Sequence, residues 1–156
     1  MKVRRRARIA VLQALFEIDM TDHDPVRSLR ERIVDSRLPE SGQGYCQTLY
    51  DGVREHVDAL DAAIQQIAPD WPIDQIAPVD RNILRLAAYE ILLAPDTPPK
   101  VAINEAVELA KLFGSDSSSR FINGVLGTLL GSRQQYLDQM VRLVSELSDP
   151  SGGEAD

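Results

Sequence analysis

The chain has 156 residues, of which 44% are hydrophobic and 26% are charged, a composition typical of a globular domain and not of a disordered segment. No apolar run approaches the roughly 20 residues that a bilayer crossing needs. The basic N-terminus has no apolar stretch after it and therefore does not resemble a secretory signal, so we expect a cytoplasmic protein. Cys46 is the only cysteine, which excludes an internal disulfide and a zinc site built on cysteine pairs.

The net charge of −7 conceals an uneven distribution. Five bases precede the first acid, Glu17, and the rest of the chain carries 12 bases against 24 acids. We call these five bases the basic tip: Lys2, Arg4, Arg5, Arg6 and Arg8. Because salt screens exposed charges beyond about 8 Å, the basic tip can hold phosphates locally while the acidic body discourages indiscriminate binding to polyanions.

Nine prolines divide the chain into segments that lack the alternation of half-buried strands. This pattern predicts an all-α fold of about seven helices. In the third segment, for example, apolar residues recur every three or four positions, as on one face of a helix. The expected helices span about residues 2–20, a segment after Pro25, 41–67, 79–93, 99–113, a segment around 121–126, and 132–147.

The proline-rich stretch 69–78 is too stiff for a continuous helix. It predicts a connector inside one domain of residues 1–148, between subdomains of about 1–68 and 79–148. We expect Trp71 to fill the seam between the two subdomains. The acidic tail, residues 149–156, has nothing to bury and is expected to be mobile.

Catalytic motifs are absent from the sequence. It has no Gly-x-Ser-x-Gly elbow, no glycine-rich phosphate loop and no His-Glu-x-x-His metal motif. Glu105 and Glu108 share a helix face and could act as a carboxylate pair, but a solvated or arginine-paired face is the favoured interpretation. Arg81 and Arg85 are the natural partners, since a buried guanidinium needs an acid. We therefore expect no enzymatic activity, no cofactor and no metal.

The first predicted helix carries a second apolar strip beside its core face. Ile9, Leu12, Phe16 and Met20 form this strip, Gln13 projects beside it, and the basic tip lies toward its N-terminal end. The strip either packs beneath another helix or meets a partner or unstacked bases, because arginine planes and aromatic rings together are typical of single-stranded RNA recognition. The pattern leaves both alternatives open.

The start of the helix after Gly114 is a second candidate site. A helix N-terminus offers unpaired N–H groups and partial positive charge, and here serines lie beside Arg120 and Phe121. A phosphate or ribose contact is one interpretation; an ordinary serine cap with Phe121 in the core is the other. Three later glycines are expected to permit close helix packing: Gly124, Gly127 and Gly131.

Four blocks of the sequence resemble the signature blocks of the NusB family of transcription antitermination factors. They are Arg4-Arg-Arg-Ala-Arg8 with Gln13-Ala-Leu-Phe16, residues 80–90, residues 101–111 and Phe121-Ile-Asn-Gly-Val-Leu126, in the family's order and spacing. The resemblance implies two packed small helical bundles. It also implies a protein that is not an enzyme and that binds, with the ribosomal protein NusE, the boxA element of nascent ribosomal RNA transcripts. Such a factor helps RNA polymerase read through terminators in an antitermination complex and supports ribosomal RNA maturation.

By position, the resemblance implies that Asp80 faces NusE. It also implies an RNA-binding surface made of Lys2, Arg4, Arg5, Arg6, Arg8, Gln13, Phe16, Arg120 and Phe121. Two residues depart from the family pattern, because Phe16 stands where tyrosine is frequent and Gly127 stands where aspartate is frequent. A helical adaptor that binds only protein is the alternative function. The apolar strips suit NusE or a second copy equally well, which leaves a homodimer open.

Overall fold

The computed structural model describes residues 2–94 and 96–148. Within those residues the regular structure is entirely helical, with eight α-helices and one 3-10 turn at Ile73–Gln75, which confirms the all-α prediction. The α-helices are α1 (Val3–Met20), α2 (Pro25–Ser36), α3 (Glu40–Glu55), α4 (Val57–Ile67), α5 (Pro78–Leu93), α6 (Pro99–Phe113), α7 (Ser118–Gly131) and α8 (Arg133–Ser148). None of these helices is both long and apolar enough to traverse a bilayer. The predicted mobile tail, residues 149–156, lies outside the described residues.

The single helix expected over residues 41–67 is two helices in the structure. The chain leaves helical geometry at His56, where φ is −110° and ψ is 16°. The ring Nδ1 of His56 lies 2.9 Å from the carbonyl oxygen of Gly52. A Cβ at Gly52 would come within 2.2 Å of the Tyr89 ring, so α5 can pack closely only because this residue is glycine. Hydrophobic periodicity continues across the break, which explains why it did not indicate one.

Helices α1 and α5 form the centre of the molecule. Helix α1 contacts α2, α3 and α5, and α5 also contacts α4, α6, α7 and α8. Their inward residues, among them Ala7, Val11, Ile83 and Leu84, are fully buried. One continuous hydrophobic core draws residues from all eight helices. The core therefore extends across the predicted boundary between subdomains.

The connector is held by α4 and not by its own tryptophan. Gln65 donates hydrogen bonds from Nε2 to the carbonyl oxygens of Ala68 and Trp71, both at 3.0 Å, and accepts one from the Ile73 amide at 2.8 Å. The expectation that Trp71 fills the seam is wrong, because 58% of this residue is exposed. Trp71 therefore lies at the surface beside the start of α5.

Ion pairs connect α5 to α1 and α4. Arg81 donates to Asp19 at 2.8 and 2.9 Å, and Arg85 donates to both carboxylate oxygens of Asp61 at 2.7 and 2.8 Å. The expected pairing of these arginines with Glu105 or Glu108 is therefore wrong. Burial of Asp19 opposes ionisation, but the hydrogen bonds from Arg81 and Asn82 outweigh it and keep the pKa of the Asp19 carboxyl below its usual range.

Candidate nucleic-acid interface

The basic tip occupies the first two turns of α1, and its members differ in what they contact. Lys2 and Arg4 are exposed. The guanidinium of Arg4 lies over the ring of Tyr45, 4.8 Å from the ring centroid, which is a cation–π arrangement. Arg4 is thus held on α3 while remaining at the surface.

Arg5 and Arg6 are half-buried and each uses part of its guanidinium inside the protein. Arg5 donates to both carboxylate oxygens of Glu105 at 2.9 and 3.0 Å, and this hydrogen bonding lowers the pKa of the Glu105 carboxyl. Arg6 donates to the carbonyl oxygens of Ser36 and Arg37 at the end of α2. A guanidinium has five N–H donors, so both side chains retain donors for a phosphate.

Arg8 has a different environment. It is only 3% exposed, and its Nε and Nη2 donate to the two carboxylate oxygens of Glu90, both at 2.8 Å. Arg8 comes one helical turn after Arg4 but lies next to the core residue Ala7, which places its side chain against α5. The surface part of the basic tip therefore consists of Lys2, Arg4, Arg5 and Arg6.

The second apolar strip of α1 forms one wall of an open apolar groove with a volume of about 420 Å³. Phe16 is 38% exposed and Met20 is 52% exposed, while Leu12 is buried beneath them. The opposite walls are Val79, at the start of α5, and Phe113, at the end of α6. The strip is therefore divided: Leu12 belongs to the core and Ile9 packs against it, whereas Phe16 and Met20 remain exposed. Sequence patterns did not identify Phe113 as part of this groove, and its position directly before the helix end at Gly114 is the one local signal.

The start of α7 leaves backbone N–H groups available. Ser117 is the N-cap residue but makes no capping hydrogen bond with its side chain. Ser118 is buried instead, and its Oγ accepts a hydrogen bond from the Ser115 amide at 2.9 Å. Arg120 is exposed, whereas Phe121 is half-buried and packs against the core. The serine cluster is therefore only partly a structural cap.

A second recess, the Trp71–Phe121 pocket, lies between the connector, α5 and α7. It has a volume of about 310 Å³, and its walls include Trp71, Phe121, Ser117 and Asp80. Asp80 is 8% exposed, and its buried Oδ1 has no hydrogen-bond partner among the described residues. Sequence reasoning placed Asp80 at a partner interface but did not connect it with Trp71.

The apolar groove and the Trp71–Phe121 pocket adjoin each other across the first turn of α5. Val79 lines the groove and the next residue, Asp80, lines the pocket. Side chains also link α1 to α6, because Arg5 pairs with Glu105 and because Phe16 and Phe113 line the same groove. Eleven helical residues, about 16 Å, separate Arg5 from Phe16. The basic residues, the groove and the pocket therefore follow one another over neighbouring elements.

The glycines of α7 do not have the expected role in packing. A Cβ added at each of the three would meet no other atom within 4 Å: Gly124, Gly127 and Gly131. The expectation of close helix packing at these residues is wrong for contacts within this chain. Together they leave part of the outer face of α7 without side chains.

A family model and individual relatives both match the sequence of this chain to NusB proteins. The pattern of the NusB family matches residues 5–130. The chain is 49% identical over 130 residues to the transcription antitermination protein NusB of Roseiflexus sp. (strain RS-1), which covers 82% of this chain and 92% of that protein. It is 45% identical over 132 residues to the transcription antitermination protein NusB of Bacillus subtilis (strain 168), covering 85% of this chain and 98% of that protein.

Solved structures show the same architecture. The chain superimposes on the NusB structure from T. maritima with a TM-score of 0.79 at 33% identity, over 86% of this chain and 96% of that one. It also matches one chain of a crystal structure of the antitermination factors NusB and NusE in complex with double-stranded RNA, with a TM-score of 0.78 at 24% identity, over 85% of this chain and 98% of that one. The second likeness shows the fold alone.

Proposed function

The chain belongs to the NusB family, and from this premise we propose that it is a transcription antitermination factor that binds the boxA element of nascent ribosomal RNA transcripts together with NusE. Its role is binding, with no catalytic step. A factor that acts on nascent bacterial transcripts works in the cytoplasm and within the RNA polymerase antitermination complex; for these last two points the support is family membership. The single observation that carries RNA binding is that the surface part of the basic tip adjoins the same helix as the exposed Phe16.

The RNA surface in this proposal combines phosphate contacts with stacking. Lys2, Arg4, Arg5 and Arg6 supply affinity for the backbone, and Gln13 offers an exposed amide beside them. At the other end of the surface, Arg120 and Phe121 again combine a basic side chain with an aromatic ring, as the basic tip and Phe16 do. Arg8 has no part in phosphate binding here, because its guanidinium is occupied by Glu90; it positions α1 instead.

The apolar groove is the proposed docking site for NusE. Exposed apolar side chains gathered in one depression are typical of protein interaction sites. The residues after the basic tip carry 12 bases against 24 acids, which suits a basic ribosomal protein because opposite charge steers encounter. Phe16 is the exposed ring of the groove and lies one helical turn closer to the basic tip than Met20, so in this proposal it borders both partners. A protein of the same fold was crystallised with NusE and RNA.

Ternary binding tests this proposal. Fluorescence anisotropy with labelled boxA RNA and a scrambled RNA of equal composition is measured with and without purified NusE. We expect preference for boxA RNA and tighter binding when NusE is present. Equal binding of both RNAs under all conditions would contradict the proposal and favour the protein-only adaptor.

A second copy of the chain is the competing occupant of the groove. Sedimentation of the protein alone, over a range of concentrations, shows whether it self-associates. If it does, we expect NusE to displace the second copy, because both would use Met20 and Phe113. A dimer that binds NusE without dissociating would contradict docking at the groove.

A further inference from the structure

The Trp71–Phe121 pocket contains an unsatisfied group that the proposed function does not use. Asp80 is more than nine-tenths buried, and its Oδ1 has no hydrogen-bond partner among the described residues. A buried acceptor without a donor costs free energy. Asp80 lies in the first turn of α5, near the positive end of the helix dipole. Asp80 thus lines the pocket with a carboxyl group whose Oδ1 has no donor among the described residues.

The walls of the pocket favour a flat ligand. Trp71 is 58% exposed although indole is among the most apolar side chains, and Phe121 faces the same recess from α7. Two aromatic rings around one recess provide stacking surfaces for a planar group. At about 310 Å³, the pocket is at the small end of the range for ligand sites, which suits one base and not a folded segment.

The start of α7 offers groups that can bind the phosphate of a nucleotide. Ser117 lines the pocket and leaves the first-turn N–H groups of α7 without a side-chain cap. Arg120 is exposed on the same turn. A phosphate placed there would meet both the helix N-terminus and a guanidinium. A cationic side chain from a protein would satisfy Asp80 but would leave these anion-binding groups unused.

The hydrogen-bonding pattern selects among the bases. Guanine presents two adjacent N–H donors, N1–H and the 2-amino group, on its pairing edge, which matches a carboxylate. Adenine and cytosine present one donor next to an acceptor, and uracil presents one donor between two acceptors, so each would place an acceptor against Asp80.

We infer that the Trp71–Phe121 pocket is a guanine-selective subsite for single-stranded RNA, with Asp80 as the specificity-determining residue. This inference rests on the proposed RNA-binding function and deepens it. It competes with the NusE contact that the family resemblance implies for Asp80, and the two assignments make different predictions for the same variant.

The test uses three labelled nonaribonucleotides: nine uridines, the same chain with guanosine at the centre, and the same chain with inosine, which lacks the 2-amino group. We expect the full-length wild-type protein to bind the guanosine oligomer about tenfold more tightly than the uridine oligomer, with inosine between them. Asp80→Asn retains the shape of the side chain, and we expect it to abolish the preference. Trp71→Ala should weaken binding of the guanosine oligomer, and Arg27→Gln, on exposed α2, is the matched control that should change nothing.

The outcomes separate this inference from the function on which it rests. Binding of all three oligomers with equal affinity would overturn the guanine subsite and leave RNA binding intact. Failure to bind any of them, or boxA RNA, would overturn both. A guanosine preference that survives in Asp80→Asn, accompanied by weaker NusE binding, would assign Asp80 to the protein partner and also overturn the inference.

Discussion

Arg8 of α1 and Glu90 of α5 form a bidentate ion pair inside the protein, with N–O distances of 2.8 Å and side chains that are 4% and 2% exposed. Tyr45 of α3 joins the pair: its Oη accepts from Arg8 at 2.9 Å and donates to Glu90 at 3.1 Å. Three helices therefore meet at one hydrogen-bonded network. The network fixes the part of α1 from which the exposed arginines project.

Removing the charge of Glu90 should destabilise the protein strongly. Glu90→Gln leaves the guanidinium of Arg8 buried without a counter-charge, and we expect the free energy of unfolding to fall by about 3 to 5 kcal/mol. Urea denaturation followed by circular dichroism measures this loss. The exposed pair Arg27–Glu31 is the control, since Glu31→Gln should cost no more than about 0.5 kcal/mol. Losses of similar size in the two variants would show that the buried pair has no special role.

Glu17 should make stability depend on acid pH. The hydroxyl of Ser28, and then His23 and Arg32, hydrogen-bond to this carboxylate and lower its pKa from 4.5 to about 2. Because the pKa is lower in the folded state, the stabilisation is fully present above about pH 4.5 and is lost as the pH falls toward 2. In Glu17→Gln this part of the acid dependence should be missing.

Unfolding midpoints measured from pH 6 down to pH 2 test the prediction. The difference in midpoint between wild type and Glu17→Gln should be largest near pH 6 and should shrink below pH 4.5. Exposed Glu146→Gln on α8 provides a control on another helix. A difference that stays constant across the range would mean that ionisation of Glu17 is not linked to folding.

Sequence patterns predicted the helices of this fold because a helical stripe depends on local spacing alone. They did not predict the break at His56, because the apolar positions continue across it. They also did not predict that residue 52 must be glycine, because the Tyr89 ring that a Cβ there would meet lies on α5, which is distant in the chain. The same limit applies to the site. The charge of Arg8 was evident in the sequence, but its burial depends on Glu90, 82 positions later.

The exposure of aromatic residues also depends on contacts that local sequence patterns do not contain. Phe16 is a candidate from sequence because it follows the basic tip on one helix. Tryptophan is mostly buried, which favours an interior position for Trp71, but Gln65 holds the connector through its backbone and the Trp71 side chain stays exposed. The Trp71–Phe121 pocket brings together the connector, α5 and α7, which are separate in sequence.

RNA affinity should depend on salt in proportion to the number of phosphate contacts. The surface part of the basic tip provides four contacts, and Arg120 would provide a fifth. At roughly 0.7 per contact, they predict a slope of about −3 for log affinity against log salt. Arg4→Gln should reduce the steepness by about 0.7. Anisotropy titrations with boxA RNA at several potassium chloride concentrations measure the slope. Arg27→Gln removes an exposed basic side chain far from the basic tip and should leave the slope unchanged. A slope near zero in the wild type would exclude the basic tip as the binding site.

Substitutions of Phe16 and Met20 should distinguish RNA binding from NusE binding. Phe16 lines the groove on the side of Met20 that faces the basic tip. Phe16→Ala should therefore weaken binding of boxA RNA by about 1 to 3 kcal/mol, the value of one stacked base, and should also weaken binding of NusE. Met20 lies farther along the groove, so Met20→Ala should weaken binding of NusE and leave binding of boxA RNA unchanged. Calorimetry with each partner separately measures both effects, and Val34→Ala, an exposed apolar residue of α2, is the matched control. If Met20→Ala left NusE affinity unchanged in a folded protein, the groove would not be the docking site, because the substitution removes exposed apolar surface without disturbing the core.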